Sequence, residues 1–214
     1  MTSTKMAGHL VALETLEQAD SSESIYDQWS DDYDQNLMEH YQYIAPKIAV
    51  DAFCEFQQPS QSSIIDYGCG TGIVGELLAK RGYHHIDGMD ISQGMLDQAR
   101  PKMENGQSVY QKLIKADLTQ TIETPDEHYE GMICVGSFAN GHLQPWHLDE
   151  MLRTIRMDGP VVLFMNEQFY LKDNFPGYFE HLGKQRKWEL IRQQRHNYME
   201  ALERPGWLVV ARRC

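Results

Sequence analysis

The chain has 214 residues, of which 42% are hydrophobic, and a formal net charge of −12 at pH 7. This length is within the range of one α/β domain and is large enough to bury a continuous core. The negative charge argues against a polyanionic partner such as nucleic acid, because phosphate contacts would have to overcome long-range repulsion, and it favours small or cationic molecules.

The cysteines and the apolar stretches predict a soluble cytoplasmic protein. The four cysteines lie far apart and include no C-x-x-C pair, which favours reduced thiols; they are Cys54, Cys69, Cys134 and Cys214. No segment approaches about 18 consecutive apolar residues, so we expect neither a signal peptide nor a membrane span. We expect a monomer or a homodimer.

The first predicted elements are helices. A polar link at residues 20–24 separates a short N-terminal helical stretch from a helix in which Tyr26, Trp29 and Tyr33 share one face. That face is either a core stripe or part of a ligand site. We expect residues 1–60 to form a helical cap or lid of the same domain, and residues 61–214 to form the core.

A glycine-rich loop follows the first predicted strand. Residues 64–72 read IIDYGCGTG, a buried apolar strand that ends near Asp66 and breaks into alternating glycines before a helical pattern. Because Gly68, Gly70 and Gly72 have no Cβ, a bulky ligand can lie directly on the main chain at the carboxyl end of a parallel strand. The next apolar stretch ends about twenty residues on in Asp90, where an acid is placed to accept both hydroxyl groups of a ribose.

Two cofactors are compatible with the glycines alone. Residues 70–75 also fit the G-x-G-x-x-G fingerprint of NAD-dependent dehydrogenases. Asp66 argues against NAD, because a carboxylate at the strand end would repel its pyrophosphate. The same carboxylate can hold an ammonium group, directly or through water. S-adenosylmethionine carries an ammonium group and no phosphate. With Asp66 and Asp90 in place, the segment resembles the first two motifs of the class I S-adenosylmethionine-dependent methyltransferases, which implies this cofactor and the product S-adenosylhomocysteine.

Strand and helix patterns alternate through the rest of the chain. Further strands are predicted at residues 109–118, 131–136 and 161–166, with helices at 72–81, after Ser92 and at 147–157. Two final strands, 188–195 and 207–212, are joined by a link too short for a crossover helix and should pair antiparallel. We therefore expect an α/β, three-layer Rossmann-like methyltransferase fold with a seven-stranded, mostly parallel sheet, one antiparallel strand near the C-terminus and helices on both faces.

The resemblance also implies an adenine site. Asp117, after the third strand, would face the adenine amino group, while Ile91 and Leu118 would pack on the two faces of the ring and Met95 would close its edge. Ordinary core packing is the alternative for the apolar residues, and capping of the following turn is the alternative for Asp117. The other predicted cofactor residues are Trp29, Tyr33, Asp66, Gly68, Cys69, Gly70, Asp90, Val135, Gly136 and Ser137.

The helix at residues 26–34 and the following Tyr43-Ile44-Ala45-Pro46-Lys47 resemble the Williams–Beuren-region methyltransferase-like proteins in particular. In the cap helix of class I enzymes that act on small molecules, the second tyrosine contacts the methionine part of the cofactor. This places Tyr33 at the cofactor and Tyr26 toward the acceptor.

The loop after the fourth strand faces the transferred methyl group in this family. It contains no acid or Asn followed by two prolines and an aromatic residue, which disfavours methylation of nucleic-acid amines. His142 is the candidate general base, because an imidazole with a near-neutral pKa can remove a proton as the methyl arrives; a cofactor-edge or backbone contact is the alternative. Asn166 and Glu167, after the fifth strand, are candidates for the acceptor side.

The sequence thus predicts a methyltransferase that acts on an O or N atom of a small molecule. No histidine pair has the spacing of a metal site. One basic stretch, residues 184–187 with Arg192 and Arg195, is either a solvated helix end or a surface for an anion or RNA. A protein or RNA acceptor, and a cofactor-binding protein without catalysis, are the alternatives.

Overall fold

The computed structural model describes residues 42–59, 62–138, 143–199 and 203–214. The helices in these ranges are α1 (Ala45–Phe56), α2 (Ile73–Ala79), α3 (Gln93–Ala99), α4 (Leu148–Arg153), α5 (Glu167–Lys172) and α6 (Phe175–Lys184). The strands are β1 (Ile64–Tyr67), β2 (Ile86–Asp90), β3 (Met103–Glu104), β4 (Gln107–Ser108), β5 (Lys112–Lys115), β6 (Gly131–Val135), β7 (Pro160–Asn166), β8 (Trp188–Met199) and β9 (Arg204–Arg213). A short 3-10 turn, Pro145–His147, precedes α4.

Seven of these strands form one sheet in the order β5-β2-β1-β6-β7-β9-β8. Strands β5, β2, β1, β6 and β7 pair in parallel, whereas β9 pairs antiparallel with both β7 and β8. The link between β8 and β9 is too short for the crossover that a parallel pair requires. The predicted seven-stranded sheet, with its reversed strand inside the sheet, is confirmed, and the carboxyl ends of the parallel strands meet at one edge.

The sheet is covered on both faces, as a three-layer fold requires. Successive side chains of β1 point to opposite faces: Ile64 packs in an apolar cluster with Phe53 of α1 and Leu78 of α2. Ile65 packs in the other cluster with Met151 of α4. Nearly every residue of the central strands β1, β2 and β6 is buried, including the acids Asp66 and Asp87.

The third strand of the sheet is shorter than the predicted residues 109–118. The small β3–β4 hairpin precedes it, and the Val109 amide bonds back to the Lys102 carbonyl at 3.0 Å, so strand pairing begins only at Lys112. The predicted helix at 147–157 is shorter as well. It ends at Arg153 because the next residues pair with Tyr129, whose carbonyl accepts the Arg156 amide at 2.8 Å.

The described part of the predicted cap is residues 42–59. Its helix α1 packs on the sheet through Ala49, Val50 and Phe53, beside β6, β7 and β9. The boundary between cap and core near residue 60 stays a prediction.

Candidate functional site

The glycine loop after β1 holds three glycines in the left-handed region, with φ of +66° at Gly68, +52° at Gly70 and +93° at Gly72. L-residues with a Cβ rarely adopt this conformation. At Gly68 there is a second reason, because an added Cβ would overlap Oγ of Ser137 after β6. At Gly70 an added Cβ would meet no atom of the described residues within 4 Å. Within the described part of the chain, the loop therefore presents bare backbone at Gly70.

Asp66 lies beneath this loop and is almost completely buried. Its Oδ2 accepts a hydrogen bond from Tyr110 Oη at 2.7 Å, whereas Oδ1 has no hydrogen-bond partner among the described residues. Burial, together with the negative charge of the neighbouring Asp90, raises the pKa of Asp66 to about 7, while the hydrogen bond from Tyr110 acts in the opposite direction. A buried carboxylate oxygen without a partner is a costly arrangement that a cationic ligand would relieve.

Asp90 ends β2 and is held by backbone amides. Oδ2 accepts the Gly70 amide at 2.8 Å and Oδ1 accepts the Ser92 amide at 2.9 Å. Ser92 in turn caps α3, because its Oγ accepts the Met95 amide at 3.2 Å, which confirms the predicted cap. The two bonds fix the carboxylate at the edge of the sheet, and since a carboxylate oxygen accepts more than one hydrogen bond, it suits ribose hydroxyls.

The predicted adenine residues flank this edge. Asp117 is exposed and caps the following turn, accepting the Thr119 amide at 2.9 Å and its hydroxyl at 2.7 Å. Leu118 and Met95 are buried, and Ile91 is half-buried. The turn-capping alternative for Asp117 is thus present in the structure, and the roles of all four residues toward adenine stay predictions.

The end of β6 meets the glycine loop. Val135 is half-buried, and Gly136, with φ of +79°, donates its amide to the Phe164 carbonyl at 2.9 Å. Ser137 lies against Gly68, where its Oγ occupies the space that a Cβ would need. An added Cβ at Gly136 would lie 3.2 Å from Tyr43 Oη, so Tyr43 lies beside the end of β6.

Tyr43 and Tyr110 are site residues that the sequence analysis did not select. The only sequence feature of Tyr43 was its place in the Tyr-Ile-Ala-Pro-Lys run, and nothing local distinguishes Tyr110. Tyr43 also packs edge-on against Tyr198 of β8, with ring centroids 5.8 Å apart.

Asn166 and Glu167 lie at the end of β7. Asn166 caps α5 and donates Nδ2 to Tyr198 Oη at 2.9 Å. Glu167 accepts two hydrogen bonds from Arg195, at 2.6 and 3.0 Å, which lower its pKa, and one from Trp207 Nε1 at 3.1 Å. A cationic acceptor at Glu167 would have to compete with this guanidinium group.

The remaining predictions concern four site residues, metal binding, membrane spans and the cysteines. Tyr26, Trp29, Tyr33 and His142 lie outside the described residues. Within the described ranges, no group of three or more His, Cys, Asp or Glu residues could hold a metal ion, and no helix is long and apolar enough to cross a membrane. All four cysteines are free thiols.

The basic stretch is largely neutralised by neighbouring acids. Each of four of its members forms an ion pair with a carboxylate; the pairs are Lys184–Glu180, Lys187–Asp149, Arg192–Glu55 and Arg195–Glu167. Cations that are already paired offer little to a phosphate backbone.

Comparison with known proteins identifies the family. Residues 64–159 match the methyltransferase domain family. Over 121 residues the chain is 33% identical to human methyltransferase-like protein 27, in an alignment that covers 55% of this chain and 47% of that protein. Residues 64–159 are a methyltransferase domain, and the fold around them is that of the class I S-adenosylmethionine-dependent methyltransferases. The predicted family is confirmed, and S-adenosylmethionine is the cofactor that this family and fold imply.

Solved structures share the methyltransferase fold at low identity. A chain of the Haloferax volcanii complex that contains the Trm112 methyltransferase activator superposes with a TM-score of 0.68 at 14% identity, covering 88% of this chain and 97% of that one. A methyltransferase from Aquifex aeolicus superposes with a TM-score of 0.63 at 16% identity, covering 89% and 98%. The chain spans about half the length of the curated relatives that it matches.

The described residues fit this cofactor. The orphan Oδ1 of Asp66 suits an ammonium group, Asp90 suits two ribose hydroxyls, and the bare backbone at Gly70 leaves room for a ligand between them. A carboxyl group at Asp66, at the end of β1, suits a cofactor without phosphate better than a dinucleotide.

Proposed function

We propose that the protein transfers the methyl group of S-adenosylmethionine to an O or N atom of a small-molecule acceptor. The observation that carries the proposal is the buried Oδ1 of Asp66, which has no hydrogen-bond partner among the described residues, together with the bare backbone at Gly70 in the loop that follows. The family supports the transfer reaction, and the net charge of −12, the paired basic stretch and the missing proline-containing loop motif support a small acceptor over nucleic acid.

In this proposal the protein's own residues mainly bind the cofactor and orient the acceptor. S-adenosylmethionine supplies an already activated sulfonium methyl, so the chain has little covalent chemistry to perform. Asp66 would hold the ammonium group and Asp90 the ribose, which fixes the cofactor at the edge of the sheet. Ser137 and Tyr43 beside the glycine loop, and Asn166 at the end of β7, would exclude water and orient the acceptor. His142, Tyr26 and Tyr33 belong to this proposal as predicted from the sequence.

A second candidate is a protein or RNA acceptor. Trp146 before α4 and Leu171 in α5 lie on the segments that follow the carboxyl ends of β6 and β7, and their exposed fractions are 58% and 60%. Exposed apolar residues beside a site favour contact with a larger molecule. One structural neighbour occurs in a complex with a methyltransferase activator, which raises the same possibility of a protein partner. A cofactor-binding protein without catalysis is the third candidate.

The first test is calorimetric titration with S-adenosylmethionine, S-adenosylhomocysteine and NAD. Micromolar binding of the first two and none of NAD supports the proposal; binding of NAD alone would refute it. Transfer of a radiolabelled methyl group to a panel of small hydroxyl and amine compounds, to protein extract and to total RNA then separates the candidates. Label in small molecules supports the first, label in protein or RNA the second, and tight cofactor binding without any transfer the third.

We also propose that the protein acts in the cytoplasm as a monomer or homodimer. The free state of its four cysteines supports a reducing compartment. Light scattering at working concentration measures the oligomeric state.

A further inference from the structure

Tyr110 reaches the cofactor site from outside the glycine motif. It lies between β4 and β5, far along the chain from Asp66, and it is buried. Its hydroxyl group makes two hydrogen bonds: Oη donates to Asp66 Oδ2 at 2.7 Å and accepts the Gly75 amide of α2 at 3.2 Å. One side chain therefore connects the acid beneath the glycine loop with the first turn of the helix that follows the loop.

The Tyr110 ring fills the space that three glycines leave. An added Cβ would lie 2.9 Å from the ring at Gly72 and 3.0 Å at Gly88 of β2, and at Gly75 it would overlap the ring and its hydroxyl. Real Cβ atoms are essentially never found within 3.0 Å of another atom and seldom at 3.0–3.4 Å, so a larger residue at any of these positions would require Tyr110 to shift. The ring fixes the separation of β1, β2 and α2 at the point where the loop leaves the sheet.

The Tyr110 hydroxyl keeps its proton. Burial and the adjacent carboxylate of Asp66 raise the pKa of Tyr110 well above its ordinary value. The hydroxyl is therefore a donor to Asp66 at every working pH, and a hydrogen bond donated to a carboxylate favours its charged form.

The hydrogen bond from Tyr110 lowers the pKa of Asp66, whereas the other groups near Asp66 either raise this pKa or carry no charge. The negative charge of Asp90 disfavours a second charge at Asp66. Burial raises the pKa of the Cys69 and Cys134 thiols, so both are neutral neighbours. Among the described residues around Asp66, the Tyr110 hydroxyl is the group that offsets the cost of ionising it.

We propose that Tyr110 is a positioning residue that keeps Asp66 available as a carboxylate, with Oδ1 directed to the ammonium group of S-adenosylmethionine. The hydrogen bond occupies Oδ2 and so leaves Oδ1 as the oxygen for the ligand. This role rests on the proposed function, because it requires that S-adenosylmethionine binds at Asp66.

The test compares the wild-type protein with Tyr110→Phe, which keeps the ring and removes the hydroxyl. The pKa of Asp66 is measured in the ligand-free protein from its carboxyl ¹³C resonance, assigned by its loss in Asp66→Asn. We expect the pKa to rise by about one pH unit, which corresponds to about 1.4 kcal/mol. An unchanged pKa would overturn the proposal.

The affinity for S-adenosylmethionine gives an independent measurement. A higher pKa at Asp66 weakens binding most where the wild-type acid is still partly ionised, so we expect about a tenfold loss at pH 6.5 and about a twofold loss at pH 8. A purely structural role would lower the affinity by the same factor at both pH values, and that result would also overturn the proposal.

Tyr129→Phe is the matched control. Tyr129 is another buried tyrosine that donates to an acid of the sheet, Asp87 Oδ2, at 3.0 Å, but it packs in the cluster on the opposite face. This variant loses the same kind of bond, so it should lower stability without moving the pKa of Asp66 or the pH dependence of binding.

Incorporation of 3,5-difluorotyrosine at position 110 covers the case in which Tyr110→Phe does not fold. Fluorination makes the phenol a stronger donor with little change in size, so the pKa of Asp66 should fall and binding at pH 6.5 should strengthen. A rise in that pKa would contradict the proposal. If the wild-type protein binds no S-adenosylmethionine at any pH, the proposed function fails, whereas the ¹³C measurement still decides whether Tyr110 controls the charge of Asp66.

Discussion

Replacing Asp66 by Asn should abolish binding of S-adenosylmethionine and make the folded protein more stable above pH 7. The pKa of Asp66 is raised from 3.8 to about 7 in the folded protein, chiefly by burial. Since one pKa unit corresponds to about 1.4 kcal/mol, the buried charge costs about 4 kcal/mol of folding free energy once the pH is above 7. A neutral residue of the same shape does not incur this cost.

The sign of the effect follows from proton binding. Between pH 4 and pH 7 the folded protein holds a proton at Asp66 that the unfolded chain has released, so the stability of the wild-type protein falls as the pH rises through this window and levels off above pH 7. Asn removes that dependence. Its amide nitrogen would stand where Oδ1 now lacks a partner, which costs about 1–3 kcal/mol at every pH.

Urea unfolding followed by circular dichroism at pH 4, 6 and 8 measures the difference. We expect Asp66→Asn to be less stable than the wild-type protein at pH 4 and more stable by about 1–3 kcal/mol at pH 8, and to show no binding of S-adenosylmethionine at either pH. A difference between the two proteins that stays constant from pH 4 to pH 8 would refute the raised pKa and the role assigned to the burial of Asp66.

Three further changes probe the site and the fold. Asp90→Ala should weaken S-adenosylmethionine binding by about 1–3 kcal/mol through lost hydroxyl bonds, and an unchanged calorimetric affinity would show that the ribose is misplaced. Gly68→Ala should lower the free energy of unfolding by more than Gly70→Ala, because both incur the left-handed backbone cost of about 1–2 kcal/mol but only Gly68 also meets Ser137; equal losses in urea unfolding would contradict this contact. Burial and the nearby Arg192 lower the pKa of His196, so the wild-type protein should lose stability relative to His196→Gln as the pH falls below about 6.5, and parallel unfolding curves between pH 7 and pH 5 would argue against it.

The sequence predicted those features of the candidate site that depend only on residues close by in the chain. The glycine loop after β1, the acid that ends β2 and the Ser92 cap are each determined by neighbours within a few residues, and all three occur where the pattern indicates. The reversed strand was predictable for the same reason, because a short link between two strands allows only an antiparallel pair.

Residues that act through distant contacts were not predictable. Tyr110 is 44 positions from Asp66 in the chain, and only the completed sheet brings the two side chains together. The pairing of Glu167 with Arg195 depends in the same way on β9 lying between β7 and β8. Pattern and propensity describe neighbours in sequence, whereas these contacts depend on the order of strands in space.

The position of β9 has a consequence for biosynthesis. Both of its neighbours, β7 and β8, precede it in the chain, so during translation β7 presents a largely apolar strand with an unpaired edge until residues 204–213 have left the ribosome. Open edges of this kind recruit other strands. The nascent chain should therefore depend on chaperones at a late stage, and ribosome-bound chains that stop before residue 204 should aggregate on release, while chains that contain β9 fold at once.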